Sequence, residues 1–290
     1  MDPIVAVRFV HYAAAMLLFG ASAFETVLAP PSLPPALPRP RLWALPLALV
    51  LLLTALLWLL GEAADIGNGW SDATDLDLLG SVLTATPFGG AWLVHLGLAL
   101  LLVVACLTDG PIAAPLRLVL VALLLMSLAL VGHAAIDEGI IGLAHRGNDM
   151  LHLLAAGLWV GALPPLLYDL ALLRRPDSAE AARQALSKFS GLGHVAVAVV
   201  MLTGIVNAML ILHHFPDDFG SPYQLLLLIK IGLVLVMVGI ALANRYWVTP
   251  GLIEHTSSAT RALVIGTVCE IALGAVVIAL VSAFGTFDPV

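Results

Sequence analysis

The sequence predicts an all-α membrane protein, a polytopic bundle of about eight transmembrane helices with both termini outside, in the periplasm. The first observation is composition: 61% of the 290 residues are hydrophobic and 11% are charged, whereas soluble domains carry about 25% charged residues. The second is run length, because the apolar residues form stretches of about 20 residues or more, as a spanning helix requires. The third is that no run alternates in the manner of β-barrel strands. Helices are therefore the spanning structure that we expect.

Eight runs of the chain are long and apolar enough to cross a bilayer. The first is too long for the apolar part of a signal peptide and has no cleavage site before Pro30, so we interpret it as the first spanning helix. Residues 1–290 are interpreted as one integral membrane domain, since no soluble domain or internal repeat stands out. The predicted spans are 4–29, 42–61, 88–107, 116–135, 147–173, 189–213, 223–246 and 261–284.

Loop charges predict the orientation, because cytoplasmic loops are rich in Lys and Arg. The basic connections hold Arg39, Arg41, Arg117, Arg174, Arg175, Arg183, Lys188, Arg245 and Arg261. The connections on the other face hold Asp65, Asp72, Asp75, Asp77, Asp137, Glu138, Asp217 and Asp218. The basic face is therefore predicted to be cytoplasmic. The net charge of −7 is less informative than this distribution of charge between the two faces. We expect the partners to be a lipid bilayer and small ions, with no nucleic acid.

The longest outer connection, residues 62–87, is acidic. Its segment 75–86 is interpreted either as a short helix lying in the membrane interface or as a solvated loop. Trp70 and Trp92 flank the segment and suit the depth of the lipid headgroups.

Histidines fall at one level of the predicted bundle. A helix rises about 1.5 Å per residue, which puts His11 and His95 about 10 Å below the outer surface and His152 slightly shallower. His133 lies where the fourth span leaves the membrane. Imidazole binds Cu, Zn, Fe and Ni well. Four histidines at one depth on four separate spans predict a metal site, although their types do not select the metal.

The stretch 145–163 carries the densest group of these polar residues. His145, Asp149 and His152 are spaced i, i+4 and i+7, so they share one helical face. Asp149 is expected to orient a ligand or attract a cation. Met150 offers a soft thioether for Cu(I). Small residues follow, and they allow neighbouring helices to approach closely in lipid.

Two further ionisable residues lie deeper. Lys230 is about two turns into the seventh span. Glu270 is near the middle of the eighth, where a charge is expensive. Glu270 is interpreted either as a relay or as the buried partner of Lys230 or Arg245.

Several segments, spread over nearly the whole chain, resemble the copper-resistance D (CopD) family of bacterial inner-membrane proteins. They are RFVHYAAAMLLFG (8–20), TPFGGAW (86–92), GHAA (132–135), HLLAAGLWVGAL (152–163), KFSGLGHVAVAVVMLTGIVNA (188–208), YQLLLLIKIGLVLVMVGIALANR (223–245) and CEIALGAVV (269–277). The resemblance implies that copper crosses the inner membrane, with a periplasmic copper-binding partner of the CopC type. It also implies a role for the residues on family-like motifs, which are His11, His133, His152, Lys230 and Glu270. His95 matches no such motif, and its role depends on depth alone.

Three hypotheses stay open. The first is a copper transport protein with the outer histidines as its metal site. The second is an electron-transfer protein that binds haem b through His95 with His152, or His11 with His133. The third is a scaffold in which the histidines only join helices through hydrogen bonds. No nucleophile–base pair or phosphate loop stands out, so we do not expect an enzyme.

Overall fold

The structure is a computed structural model that describes residues 2–34, 40–110, 112–132, 138–252 and 256–287. Throughout these ranges the regular elements are helical, and eight helices are long and apolar enough to cross a membrane. The predicted fold class and number of spans are therefore confirmed, while the side on which the termini lie stays a prediction. The helices are α1 (Pro3–Ala23), α2 (Pro40–Ile66), α3 (Leu76–Ala85), α4 (Pro87–Cys106), α5 (Ala113–Ser127), α6 (Gly139–Gly161), α7 (Leu163–Leu172), α8 (Ala179–Leu212), α9 (Pro222–Ala243) and α10 (Thr256–Phe284).

Three of the spans begin with the same local chemistry. The side chains of Asp2, Thr86 and Ser221 cap α1, α4 and α9, and each accepts a hydrogen bond from a backbone N–H of the first turn. A proline follows each cap at the first helical position, where its missing N–H and fixed φ suit a helix start. These helix starts are therefore encoded locally.

Two helices begin about two turns or more before the start that the hydropathy pattern predicts. α6 begins at Gly139 rather than near 147, so His145, which precedes the predicted span 147–173, is a buried residue of the helix. α8 begins at Ala179, whereas the predicted sixth span begins at residue 189. The start of α8 is rich in alanine, the best helix former, and Ala182 and Ala185 are buried in the core with α7. Charged residues on the exposed face interrupt the apolar pattern, so the apolar runs alone do not predict the start of this helix.

The fifth predicted span is divided into α6 and α7 at Ala162. Pro164 and Pro165 lie in the first turn of α7 and lack the N–H groups that would continue α6 without interruption. The two helices still form one apolar unit, Gly139–Leu172, long enough to cross a membrane.

α1 is the central helix of the bundle and packs against α2, α5, α6 and α10. It approaches α6 closely where Gly20 faces Gly161. A Cβ atom on either glycine would overlap the backbone of the other helix. Gly157, one turn earlier on α6, is also closely packed, against Phe19 and Leu125. The small residues of 155–162 thus allow the close helix approach predicted from the sequence.

Residues 76–85 of the acidic connection form α3, and residues 62–66 belong to the end of α2. Asp75 caps α3, and Val82 is buried against α4, where Gly89 leaves room for the end of α3. Leu76 is exposed on the other side of α3. Whether α3 lies in the membrane interface stays a prediction.

Candidate metal site

Two of the predicted histidines meet in the core of the bundle. His11 projects from α1 and His95 from α4, and their Nε2 atoms are 3.1 Å apart. Each is eight residues from the start of its helix, about 12 Å along the axis. Both side chains are 0% exposed. The equal depth predicted from the sequence therefore corresponds to direct contact between the rings.

Each imidazole is held by a hydroxyl group from a third or fourth helix. His11 Nδ1 lies 2.8 Å from Thr54 Oγ1 of α2, and His95 Nδ1 lies 2.8 Å from Ser127 Oγ of α5. The two hydroxyls are also back-bonded to their own helices, at 2.7 Å to Val50 O and 2.7 Å to Leu124 O. The result is a continuous chain of five polar contacts that joins four helices.

This row of hydrogen-bonding groups has one proton fewer than it has contacts. Each hydroxyl carries one proton and each neutral imidazole carries one, which makes four protons for five contacts. If both imidazoles hold their proton on Nδ1, all four outer contacts are filled and two Nε2 lone pairs face each other. The centre of the chain then offers two nitrogen donors to one cation. This cation can be an added proton or a metal ion.

Aromatic side chains enclose the pair, which we call the His11–His95 pair from here on. Trp92 stacks on His95 with ring centroids 4.6 Å apart and an angle of 10°, and Trp58 meets His11 edge-on at 5.8 Å. Trp92 is fixed by its Nε1–H, which donates to Ala55 O at 3.0 Å. The Arg8 guanidinium lies over the Trp58 ring, 4.9 Å from its centre. The pair is therefore closed off from lipid and from water.

His152 belongs to a different group, between α6 and α8. Its Nδ1 lies 2.9 Å from Thr203 Oγ1. One turn earlier, Asn207 Nδ2 donates to Asp149 Oδ1 at 2.8 Å and its Oδ1 accepts from Asn148 at 2.6 Å. The closely spaced polar residues of α6 thus bind α8 rather than α1 or α4.

The remaining residues predicted near His152 are placed around this second group. Asp149 interacts electrostatically with Lys230 of α9 and with His145. Lys230 also lies 5.8 Å from the ring centre of Phe284. Met150 is half-buried on α6. His133 lies outside the described residues.

The four predicted ligands therefore do not form one described cluster. Within the described ranges, no group of three or more His, Cys, Asp or Glu side chains is arranged to hold a metal ion. His11 and His95 converge, and His152 lies in the α6–α8 interface. Thr54, Ser127 and Trp58 were not among the predicted site residues, and Trp92 was noted only for its depth near the lipid headgroups, whereas it is buried beside His95. Thr54 and Ser127 were visible only as single hydroxyls within long apolar runs.

Glu270 lies in the other half of the bundle and is 3% exposed. Its carboxylate accepts hydrogen bonds from Trp159 Nε1 at 3.2 Å and Asn244 Nδ2 at 3.3 Å. Trp159 and Asn244 are therefore its hydrogen-bond partners, whereas the sequence left open a relay or a pairing with Lys230 or Arg245. Arg245 lines the same cavity, which also reaches Ser190 and His194.

This cavity has about 90 Å³ of free volume, enough for several water molecules. His194 Nδ1 donates to the carbonyl of Ser190 at 2.7 Å, so in the neutral imidazole Nε2 carries the lone pair. That Nε2 atom is buried and has no hydrogen-bond partner among the described residues. The cavity therefore presents a carboxylate and an imidazole lone pair beside the end of α9.

The fold and the site define a polytopic helical membrane protein with a buried imidazole pair and a separate buried carboxylate, and ionisable groups inside a bilayer are typical of functional sites. Two family models match the chain: Copper resistance protein D-like, N-terminal domain, over residues 1–143, and Copper resistance protein D over residues 183–284. The chain belongs to the copper resistance protein D family, as the resemblance of its motifs indicated. Its function is therefore related to copper and to the membrane.

Three curated relatives are similar to the chain. Inner membrane protein YebZ of Escherichia coli (strain K12) is 35% identical over 286 residues, 98% of each chain. Copper resistance protein D of Pseudomonas syringae pv. tomato is 33% identical over 316 residues, 99% of this chain and 97% of the relative. Copper transport protein CutJ of Bacillus subtilis (strain 168) is 29% identical over 185 residues, 60% of this chain and 33% of the relative. No solved structure matches.

The family and the eight apolar helices make this a multi-pass inner-membrane protein, as predicted. The two family models divide the chain at α6: the first covers α1–α5 and the second begins within α8. The His11–His95 pair lies in the first part, and Glu270 lies in the second. α6, which carries Asp149 and His152, lies almost wholly between the two matched regions.

Proposed function

We propose that this protein carries copper across the inner membrane and that the His11–His95 pair holds the copper. The observation that carries the proposal is the 3.1 Å approach of two Nε2 atoms whose Nδ1 atoms are both tied to hydroxyls. The names of two relatives, a copper resistance protein and a copper transport protein, supply the identity of the ion.

The geometry of the pair suits one small metal ion. Metal–imidazole bonds are about 2.0 Å long, so nitrogens 3.1 Å apart would bind one ion with an N–metal–N angle of about 100°. Opening the pair by about 1 Å would make the same arrangement linear. Thr54 and Ser127 keep both lone pairs directed at the ion, which is the usual role of hydrogen-bond partners behind a metal ligand.

Two further polar groups support a route through the bundle. The first is the α6–α8 group of Asp149 and His152 with Lys230 beside it. The second is the cavity of Glu270 and His194 next to the end of α9. If the basic loops are cytoplasmic, the His11–His95 pair is on the entry side and this cavity is toward the exit. A periplasmic copper-binding protein of the CopC type is the proposed donor, an extension of the family resemblance.

The test is copper uptake by proteoliposomes that contain the purified protein. His11→Ala and His95→Ala should each reduce uptake to the level of protein-free liposomes. His214→Ala is the matched control, because it removes a loop imidazole that is about half exposed and whose contacts within the described part of the chain are its local backbone and Asp217. Unchanged uptake by both pair variants, with normal amounts of folded protein in the vesicles, would contradict the assignment.

The haem b hypothesis, which pairs His95 with His152 or His11 with His133, has a separate readout, and its geometry can also be compared with that of the His11–His95 pair. Two axial nitrogens across an iron atom are about 4 Å apart, with a macrocycle between the rings. Here the nitrogens are 3.1 Å apart, and Trp58 and Trp92 pack directly on the imidazoles. This packing favours a bare ion. A Soret band in protein purified from haem-replete cells, lost in His95→Ala, would instead favour haem.

A further inference from the structure

From the donor set we infer that the His11–His95 pair selects a soft monovalent ion: it takes copper as Cu(I) and discriminates against Cu(II) and Zn(II). This inference rests on the proposed function, because it names the form of copper that the same site holds. It follows from the number of donors, from the charge of the surroundings and from burial, each of which disfavours a divalent ion.

The number of donors is the first argument. Zn(II) sites in proteins almost always have four ligands, and Cu(II) prefers a square-planar or tetragonal set of nitrogen and oxygen atoms. The two Nε2 atoms are the donors that face the centre of this site. Thr54 Oγ1 and Ser127 Oγ are each engaged by an Nδ1 atom and by a backbone carbonyl, so they point away from it. Two imidazoles satisfy a d¹⁰ monovalent ion and leave a divalent ion short of ligands.

Charge is the second argument. Both ligands are neutral imidazoles, and no described carboxylate forms a hydrogen bond or ion pair with either ring. The charged group packed on the aromatic wall is the Arg8 guanidinium, 4.9 Å from the Trp58 ring centre. A divalent ion would therefore enter a site where no described carboxylate contacts either imidazole and where a cation lies against the aromatic wall. A monovalent ion experiences half of that repulsion.

Burial is the third argument. Both histidines are 0% exposed, and the tryptophans exclude water from the pair. The free energy lost when an ion leaves water scales with the square of its charge, so it is about four times larger for a divalent ion. The attraction of two neutral dipoles to the ion scales only with the charge itself. The dry, two-ligand site thus compensates a monovalent ion far better than a divalent one.

The experiment uses Ag(I) as a monovalent d¹⁰ ion that needs no reductant, together with Cu(I), Cu(II) and Zn(II). Each ion is titrated into the purified full-length protein, with oxygen excluded for Cu(I) and present for Cu(II). Binding is measured by calorimetry and by competition with a chelator. We expect Ag(I) and Cu(I) to bind one per chain, at least 100-fold more tightly than Cu(II) or Zn(II). This binding should disappear in His11→Ala and His95→Ala and persist in His214→Ala.

Ser127→Ala provides a second variant that keeps both imidazoles, in case an alanine at either ligand disturbs folding. It should weaken Ag(I) binding without abolishing it. X-ray absorption of the Cu(I)-loaded protein should report two nitrogen neighbours around the metal.

Three results would overturn the inference. Cu(II) or Zn(II) bound as tightly as Ag(I), and lost in the pair variants, would refute the selectivity while leaving the proposed transport function intact. Three or more ligands around Cu(I) would refute the two-coordinate site. If no ion bound in a manner dependent on the pair and uptake did not depend on it either, both the inference and the proposed copper site would fail.

Discussion

The hydroxyl behind His95 provides a sharp test of how the pair works. In the ion-bound state, His95 must hold its proton on Nδ1, where it donates to Ser127 Oγ at 2.8 Å. Ser127→Ala removes that acceptor and leaves a buried N–H group without a partner whenever an ion occupies the pair. In the ion-free state the same imidazole can place its proton on Nε2 and donate it to His11, so Nδ1 then holds only a lone pair.

The expected loss of affinity follows from this difference between the two states. A buried donor left unpaired costs about 1–3 kcal/mol, which corresponds to a roughly 5- to 150-fold weaker binding of Ag(I). The measurement is calorimetry on the wild type and the variant in the same detergent. Thermal unfolding without added metal checks that the variant is folded.

Ser282→Ala is the matched control for this variant. Ser282 is also fully buried, and its hydroxyl donates to a carbonyl of its own helix, Ile278 O, at 2.8 Å, as Ser127 donates to Leu124 O. Ser282 differs in that no described imidazole contacts it. Its replacement should leave Ag(I) affinity within about twofold of the wild type. Equal affinities for Ser127→Ala and the wild type, or an equal loss in both serine variants, would refute the proposed role of the hydroxyl.

Three other predictions concern the helix contacts and the second half of the bundle. Gly161→Ala should lower the free energy of unfolding by about 1–3 kcal/mol, because the new Cβ would overlap Met16 O. Gly97 faces open space, so Gly97→Ala should leave the free energy of unfolding unchanged. Equal thermal midpoints for the two variants would contradict this packing argument. His152→Ala should leave Ag(I) stoichiometry at one per chain, since His152 bonds α8 and not the pair; a lost ion would instead support a shared site. Glu270→Gln should reduce copper uptake into proteoliposomes while Ag(I) affinity at the pair is unchanged, and normal uptake would remove Glu270 from the route.

Much of the fold could be predicted from the sequence because the bilayer imposes a simple rule. Every backbone polar group must be satisfied within its own segment, so apolar runs of sufficient length become helices. Caps such as Thr86, followed by proline, even indicate where spans begin. The predicted helix starts are wrong where this rule does not apply. The early starts of α6 and α8 include polar residues that are helical for local or packing reasons, and a search for apolar runs passes over them.

The site was only partly predictable, and the reason is geometric. Depth along a helix follows from residue counting, which is why His11 and His95 were expected at one level. The direction in which each side chain points depends on which helices are neighbours. His152 also lies in an apolar run at a similar predicted depth. Its side chain nevertheless faces α8, because α6 packs between α1 and α8.

Composition and the spacing of apolar runs by themselves determined that this chain is a membrane bundle of eight spans, and the motifs along it indicated its family. These features depend on chemistry within single segments, so they can be read without knowing how the helices pack. Tertiary structure alone decided that two histidines meet at 3.1 Å, that Thr54 and Ser127 hold them, and that Glu270 is bound by Trp159 and Asn244. Such contacts join residues far apart in the chain, and they exist only because close crossings such as Gly20 with Gly161 fix which helix faces which.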